Sequence, residues 1–139
     1  MKIKTDFVTN SSSTSFIVIT ESAKVFSRDS FLQAVGVDKE SVFIELFDTL
    51  YESLESSMEP FRDACMHHRW NKDSNCEKFV VDIFGQGLWD KILLAEKEGK
   101  TVWMGSLSSD QTEIESFFCV LPFRINDKAF YIDATNDGW

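Results

Sequence analysis

The sequence has 139 residues, enough for one domain that buries a core without disulfide support. Hydrophobic residues make up 43% and aromatic residues 14% of it, which excludes an intrinsically disordered chain. The formal net charge is −9, so the chain lacks the excess of positive charge that non-specific binding to nucleic-acid phosphates or to an anionic membrane requires.

The first third of the chain predicts one strand followed by two helices. Residues 15–20 are β-branched and aromatic, a composition typical of a strand. Ser27 is placed to cap a short helix over residues 28–35. Asp38 is placed in the same way before a longer helix over residues 39–57.

The middle of the chain predicts three further helices. The first spans about residues 60–70, with a proline in its first turn, where proline is tolerated. The second spans about 75–84 and opens on a capping-box pattern that begins at Ser74. Two glycines, at 85 and 87, break or kink the chain before the third helix, over about 88–98, which Gly99 ends.

The last third predicts three strands, over about residues 101–104, 115–125 and 129–134. Because helices and strands are segregated rather than alternating, the order predicts an α+β fold. We expect one N-terminal strand, four or five helices, and three C-terminal strands in a small, mainly antiparallel sheet. We expect a single domain over residues 1–139, with a flexible segment over residues 1–14.

No apolar run in the sequence is long enough for export or membrane insertion. The first, over residues 16–19, is much shorter than the roughly 7–15 residues of a signal peptide's apolar region or the roughly 20 of a membrane helix. The three cysteines are too few, and odd in number, for a disulfide framework. We therefore expect a cytoplasmic protein with reduced thiols.

The most distinctive segment of the sequence is a run of five hydroxyl residues, 11–15, between apolar anchors. Together with the Phe-Val-Thr-Asn that ends at Asn10, it resembles the opening of many short uncharacterised proteins of bacteria and their phages. Those proteins open with Phe-Val-Ser/Thr-Asn, a serine run, then Phe and a strand. The resemblance covers about residues 5–18 and implies a bacterial or phage cytoplasm, but no function.

The hydroxyl-rich segment has two interpretations. Serine and threonine side chains bond to nearby backbone, which is typical of a turn that leads into a strand. Small side chains also let another chain approach closely, so the segment is a candidate docking peptide. The residues that would dock are Phe7, Asn10, Ser11, Ser12 and Ser13.

The negative charge is concentrated in two stretches, and the denser one is residues 41–60, which hold five acids and no lysine or arginine. At about 100° per residue the five acids fall within roughly an 80° arc of a helix, while an apolar series, Phe43 to Leu54, falls on another arc and is expected to face the core. Such a row is either a solvated face or a surface for a basic partner. The acids of this stripe are Glu45, Asp48, Glu52, Glu55 and Glu59.

Cysteine and histidine residues form a second cluster of interest in the sequence, at Cys65, His67, His68 and Cys76. Three of them have spacing suited to zinc, but no fourth ligand is evident, and a closed site normally shows paired cysteines. The simpler interpretation is that these side chains pack in or near the core. A catalytic Cys/His pair is the alternative. The sequence also lacks a phosphate-binding or dinucleotide-binding glycine loop, so we expect no metal and no cofactor.

These patterns favour binding over catalysis. We expect a small acidic, non-enzymatic interaction protein that acts as an inhibitor or immunity-type partner of a basic protein in a phage or mobile-element context. The alternative is a ligand-binding protein or enzyme with a site between the C-terminal sheet and the helices, formed by Trp103, Ser106, Asp110 and Tyr131. A third interpretation is a component of a larger assembly that docks through its N-terminal segment.

Overall fold

A computed structural model describes residues 13–21, 26–68, 71, 75–108, 123–127 and 130–135. In chain order its elements are β1 (Ser13–Thr20), α1 (Arg28–Ala34), α2 (Ile44–Ser57), β2 (Glu59–Pro60), α3 (Phe61–Met66), α4 (Cys76–Ile83), α5 (Gln86–Lys97), β3 (Thr101–Ser108), β4 (Phe123–Asn126) and β5 (Phe130–Ala134). The predicted mixture of helices with an antiparallel sheet is confirmed in this part of the chain. The strand arrangement differs from the prediction by one additional short strand, β2.

The strands form one sheet in the order β2-β3-β1-β5-β4, and each neighbouring pair is antiparallel. The first strand of the chain is therefore the central one. Val18 lies opposite Trp103 on one side and Ile132 on the other. Because successive side chains of a strand point to opposite faces, this register fixes which residues share a face.

Helices cover both faces of the sheet. On one face Phe16, Val18 and Ile132 pack with buried residues of α1 and α2. On the other face Ile17 and Ile19 pack with buried residues of α3, α4 and α5. Because β1 is buried on both faces, its residues 16–19 form a continuous apolar run rather than an alternating pattern.

The aromatic side chains of the α1–α2 face form one cluster. The Phe26 ring lies 5.1 Å from that of Tyr51 and 5.2 Å from that of Phe130, centroid to centroid. Phe31 lies 5.7 Å from Phe26 in an edge-to-face arrangement. The Tyr51 hydroxyl donates to the Phe26 carbonyl at 2.6 Å, which satisfies two buried polar groups and ties α2 to the segment before α1.

The chain changes faces at β2, on the edge of the sheet. The sequence places residue 60 at the start of a helix, but residues 59 and 60 instead pair with β3, and α3 begins at Phe61. Proline is tolerated on an edge strand because the N–H that it lacks would face solvent there and would not bond to a neighbouring strand. This short edge strand carries the chain from α2 on one face to α3 on the other.

Several predicted element ends differ from those of the structure. Ser27 caps α1 as predicted, accepting from the Ser30 N–H at 3.2 Å. The predicted helix from residue 39 begins only at Ile44, because Asp38 accepts from the Glu40 N–H in a local turn instead. Asn75, not Ser74, caps α4. Of the predicted strand over 115–125, residues 115–122 lie outside the described residues.

Candidate functional site

The predicted acidic stripe is divided between α2 and β2, and we call its four acids on α2, Glu45, Asp48, Glu52 and Glu55, the acidic face. Glu59 lies beyond the helix end, on β2 and opposite Met104, so the register assigns it to the sheet face that α3, α4 and α5 cover. Glu45, Glu52, Glu55 and Glu59 are exposed, and Asp48 is half-buried. The acidic face is therefore accessible along α2, but the predicted stripe does not extend to Glu59.

Arg28 lies against the middle of the acidic face. Its Nε is 2.7 Å from Asp48 Oδ1, and its Nη2 donates to Glu52 Oε1 at 3.0 Å. Within the described residues Asp48 Oδ1 accepts no hydrogen bond of good geometry, so charge alone holds it to the guanidinium. One basic side chain from the first turn of α1 thus compensates one of the four negative charges of the acidic face.

An exposed apolar turn precedes the acidic face. Val42 is 88% and Phe43 56% exposed, although the predicted helix would bury Phe43 against the core. That prediction is wrong because α2 begins at Ile44, so Phe43 lies in the preceding turn, where its N–H donates to Ser41 Oγ at 3.1 Å. The turn and the adjacent Glu45 together present apolar and negative groups at one end of α2.

The four residues of the predicted pocket do not form one site. Trp103 lies on the sheet face of α1 and α2, with its Nε1 donating to Thr20 Oγ1 at 3.2 Å. Tyr131 and Ser106 belong to the other face, because β1 pairs Ile19 with Tyr131 but Val18 with Trp103. Ser106 is exposed, and Asp110 lies outside the described residues.

A cleft of about 160 Å³ does lie between α5 and the β4–β5 strands, and Tyr131 is the one residue of the predicted pocket that lines it. Lys91 Nζ lies 4.4 Å from the Tyr131 ring centroid. Lys100 Nζ is 3.6 Å from Glu21 and 3.5 Å from Glu98, so its charge is already compensated. Small-molecule sites usually measure about 300–1,000 Å³, so this cleft suits only a small polar ligand.

Asp133 is a buried carboxylate beside this cleft, only 1% exposed. It accepts from the Tyr131 hydroxyl at 3.0 Å and from the Thr135 N–H at 2.9 Å, and Arg124 Nη2 lies 3.5 Å away. Burial, and after it the charge of Asp133, raises the pKa of Tyr131 to about 12. The Tyr131 hydroxyl is thus held as a neutral donor to the Asp133 carboxylate.

We expect the free energy of unfolding to fall between pH 10 and pH 12. Unfolded tyrosine ionises near pH 10, whereas Tyr131 in the folded chain stays protonated until its raised pKa of about 12. A difference of about two pKa units between the folded and unfolded states corresponds to about 2.7 kcal/mol of stability. We expect a loss of about 1 kcal/mol, because Tyr131 is partly exposed and solvent screens its interactions. Urea unfolding at several pH values measures the decline.

The variant Tyr131→Phe isolates this contribution, because Tyr51 also has a raised pKa and adds to the decline in the same direction. We expect the decline with pH to be shallower in the variant than in the natural sequence. An equal decline in both proteins would show that Tyr131 is not the group responsible.

Only some residues of the predicted cysteine and histidine cluster lie in the same part of the structure. Cys65 and Cys76 are buried together in the core, whereas His67 is exposed. His68 Nε2 hydrogen-bonds with Ser15 Oγ at 3.2 Å, and its ring packs 4.7 Å from that of Phe79. Among the described residues no three His, Cys, Asp or Glu side chains come close enough to hold a metal ion.

The predicted docking peptide falls almost entirely outside the described residues. Phe7, Asn10, Ser11 and Ser12 are not among them, and Ser13 begins β1 opposite Ser108. In the part of the chain that is described, no helix has the length and apolar character needed to cross a membrane.

Two features of the site were not predicted from the sequence. Arg28 belongs to another helix, so no periodicity within residues 41–60 could indicate it. Val42 and Phe43 could have been recognised only from the true start of α2. Comparison of the chain with protein-family models, with curated proteins and with solved structures gave no match.

Proposed function

We propose that this protein is a non-enzymatic binding protein whose acidic face meets a basic surface of a protein partner, as an inhibitor or immunity-type protein does. The observation that supports this most directly is the combination at one end of α2. The exposed Glu45 in the first turn of α2 comes directly after a turn in which Val42 and Phe43, two apolar side chains, are exposed rather than buried.

The two components of this surface would contribute differently to binding. Clustered carboxylates attract a basic partner over several ångströms and raise the association rate. An aromatic side chain that enters a pocket of the partner is the common source of binding free energy at such interfaces. Phe43 is placed for that role, with Glu45 two residues away at the start of α2.

The carboxylates differ in how freely they can meet a partner. Asp48 and Glu52 share the Arg28 guanidinium, so a partner would have to compete with it. Glu55 receives only a long contact, 3.4 Å, from the Tyr51 hydroxyl. Glu45 and Glu55 are therefore the residues to change, because their replacement leaves the Arg28 ion pairs intact.

We expect the double charge reversal Glu45→Lys with Glu55→Lys to abolish salt-sensitive capture of a basic partner. The immobilised full-length chain is exposed to bacterial lysate at about 50 mM salt, where charge attraction is strong, and bound proteins are identified by mass spectrometry. The recovered partner is then titrated against each variant. Affinity should fall by at least about tenfold, or 1.4 kcal/mol.

The matched control is Asp82→Lys with Asp90→Lys, which makes the same change in net charge on exposed residues of α4 and α5. These helices cover the other face of the sheet. If both double variants lose the partner equally, net charge rather than the acidic face is responsible. If neither loses it, the proposal is wrong.

A ligand-binding role at the cleft beside Tyr131 is the alternative function. The cleft lies between α5 and the C-terminal strands, where such a site was expected, but it is small and its lysine at position 100 is ion-paired. For these reasons we favour the acidic face. A ligand in the cleft would bind equally well to the Glu45→Lys, Glu55→Lys variant, which separates the two functions.

A further inference from the structure

Helix α5 carries an exposed apolar patch that is separate from the turn before α2. Leu93 is 42% and Leu94 55% exposed, although their neighbours Ile92 and Ala95 are buried against the sheet. Single exposed leucines are common on protein surfaces, whereas adjacent ones form a patch that a partner can cover. The outer surface of α5 is therefore a candidate interface.

One acid and one base lie on the same outer surface of α5. Asp90 precedes the two leucines and Lys97 follows them, and both are exposed. Positions seven apart in a helix point in nearly the same direction, so Asp90 and Lys97 define a line along this surface. At 100° per residue, Leu93 falls about 60° to one side of the line and Leu94 about 40° to the other. We call these four residues the α5 face.

The charges of Asp90 and Lys97 are not compensated within the described part of the chain. Two helical turns separate them by about 10.5 Å along the axis, which is too far for an ion pair between them. Among the residues that the structure describes, neither is in an ion pair with another side chain. Asp90 accepts from Gln86 Nε2 at 3.0 Å, which is a neutral donor.

The side chains on either side of the α5 face are engaged within the chain. Towards α3, Arg62 donates to both carboxylate oxygens of Glu96, at 2.7 and 3.0 Å. Towards β5, Lys91 Nζ lies 4.4 Å from the Tyr131 ring centroid. A partner on the α5 face would therefore be recognised through the two leucines and the charges before and after them.

We propose that two copies of this chain pair through their α5 faces, with the helices antiparallel about a twofold axis between positions 93 and 94. Positions 90 and 97 are equally far from that axis, so Asp90 of each copy meets Lys97 of the other and two ion pairs form. Leu93 of each copy meets Leu94 of the other at the centre.

The order of charges along α5 favours a second copy of this chain as the occupant. A twofold interface must be complementary to itself, which requires an acid and a base at equal distances from its apolar centre. Asp90 and Lys97 meet that requirement in the antiparallel arrangement. In a parallel arrangement each charge would meet its own kind.

The expected dimer is weak, and it is independent of the proposed binding function. One helix from each copy buries less than the roughly 1,200 Å² at which stable interfaces begin, so we expect the dimer to dissociate on dilution. Because α5 and α2 cover opposite faces of the sheet, pairing leaves the acidic face of each copy exposed.

Sedimentation equilibrium of the full chain tests the pairing. Between about 5 and about 500 μM, a range suited to a weak interface, the average mass should rise from 16.0 kDa towards twice that value. A mass that stays at that of one chain throughout would overturn the proposal. Growth beyond two chains would also overturn it, since a twofold interface is complete with two copies.

The double variant Leu93→Gln with Leu94→Gln tests the apolar centre. Glutamine keeps a high helix propensity but removes the apolar surface, so association should weaken by at least about tenfold. The matched control is Val42→Gln with Phe43→Gln, at the exposed turn before α2, which should associate as the natural chain does. Circular dichroism verifies that each variant is folded. Loss of association in the control, or full association in the α5 variant, contradicts the proposal.

Exchange of the two charges tests the antiparallel arrangement and leaves the leucines in place. Asp90→Lys alone, or Lys97→Asp alone, replaces two attractive pairs by two repulsive ones, so each should weaken association about tenfold. The double variant Asp90→Lys with Lys97→Asp restores both pairs with their signs exchanged. It should associate within about threefold of the natural chain. A double variant as weak as the single ones would show that these residues do not meet across the interface.

A mixture of the two single variants gives a second readout of the same pairing. Each single variant repels itself, but Asp90→Lys presents two bases and Lys97→Asp two acids at the matching positions. The equimolar mixture should therefore form a mixed dimer at concentrations where each variant alone is monomeric. A mixture that associates no better than its components rules the antiparallel pair out.

Discussion

Replacing Phe31 by alanine is expected to lower the free energy of unfolding by about 3–5 kcal/mol. Its ring is fully buried and lies within 6.3 Å of those of Phe26, Tyr51 and Phe130. Its loss leaves a cavity between α1, α2 and the sheet that those rings can fill only in part. Domains of this kind are stable by about 5–15 kcal/mol, so the variant should unfold at a much lower urea concentration.

The matched control for this prediction is Phe43→Ala, the same chemical change at an exposed position. Phe43 is 56% exposed, so we expect its replacement to change stability by no more than about 0.5 kcal/mol. Urea unfolding followed by circular dichroism measures both variants. Equal losses would mean that Phe43 is buried after all. Because Phe43→Ala preserves the fold, it also tests the contribution of this ring to partner binding.

Replacing Gly105 by alanine is expected to lower the free energy of unfolding by about 1–3 kcal/mol, the usual cost of overpacking. Gly105 lies opposite Phe16 in the β1–β3 ladder, where the sheet meets the end of α2. A Cβ there would lie 2.6 Å from Phe16 Cζ and 2.9 Å from the Ser57 carbonyl oxygen. The second contact is with backbone, so relief requires α2 to move away from the sheet.

Gly87→Ala is the control for this second prediction. Gly87 lies in the first turn of α5, and a Cβ there meets no other atom within 4 Å. Alanine restricts the unfolded chain and favours the helix, so we expect a gain of about 0.4–1 kcal/mol. The two melting temperatures should move in opposite directions. A Gly105→Ala protein as stable as the natural sequence would contradict the close approach of α2 to β3.

Local signals in the sequence predicted the existence of most elements. Ser27 caps α1 as its side chain and position indicated, and Gly99 follows α5 with a φ of +79°, a conformation that glycine adopts without strain. Asp38 carries the same kind of signal, but its carboxylate stabilises a turn, since an aspartate can bond to backbone in either setting. A two-residue strand such as β2 is too short for any periodic pattern to reveal.

The candidate site was predictable only where it depends on one element. The spacing of the acids on α2 indicated a common face, and the structure places them there up to the helix end. The ion pairs of Arg28 and the separation of Trp103 from Tyr131 depend on helix packing and on strand register. A register shift of one residue moves a side chain to the opposite face, and local sequence does not determine it.

The central position of β1 has a consequence for the order of events during synthesis. Its partners in β3 and β5 begin about 80 and 110 residues after it ends. At about 5–20 residues per second, the ribosome takes on the order of ten seconds to supply both neighbours. During that interval the apolar segment of β1 is exposed in the nascent chain with both of its edges unpaired. Binding by a chaperone, or incorrect pairing with another chain, therefore competes with folding at β1.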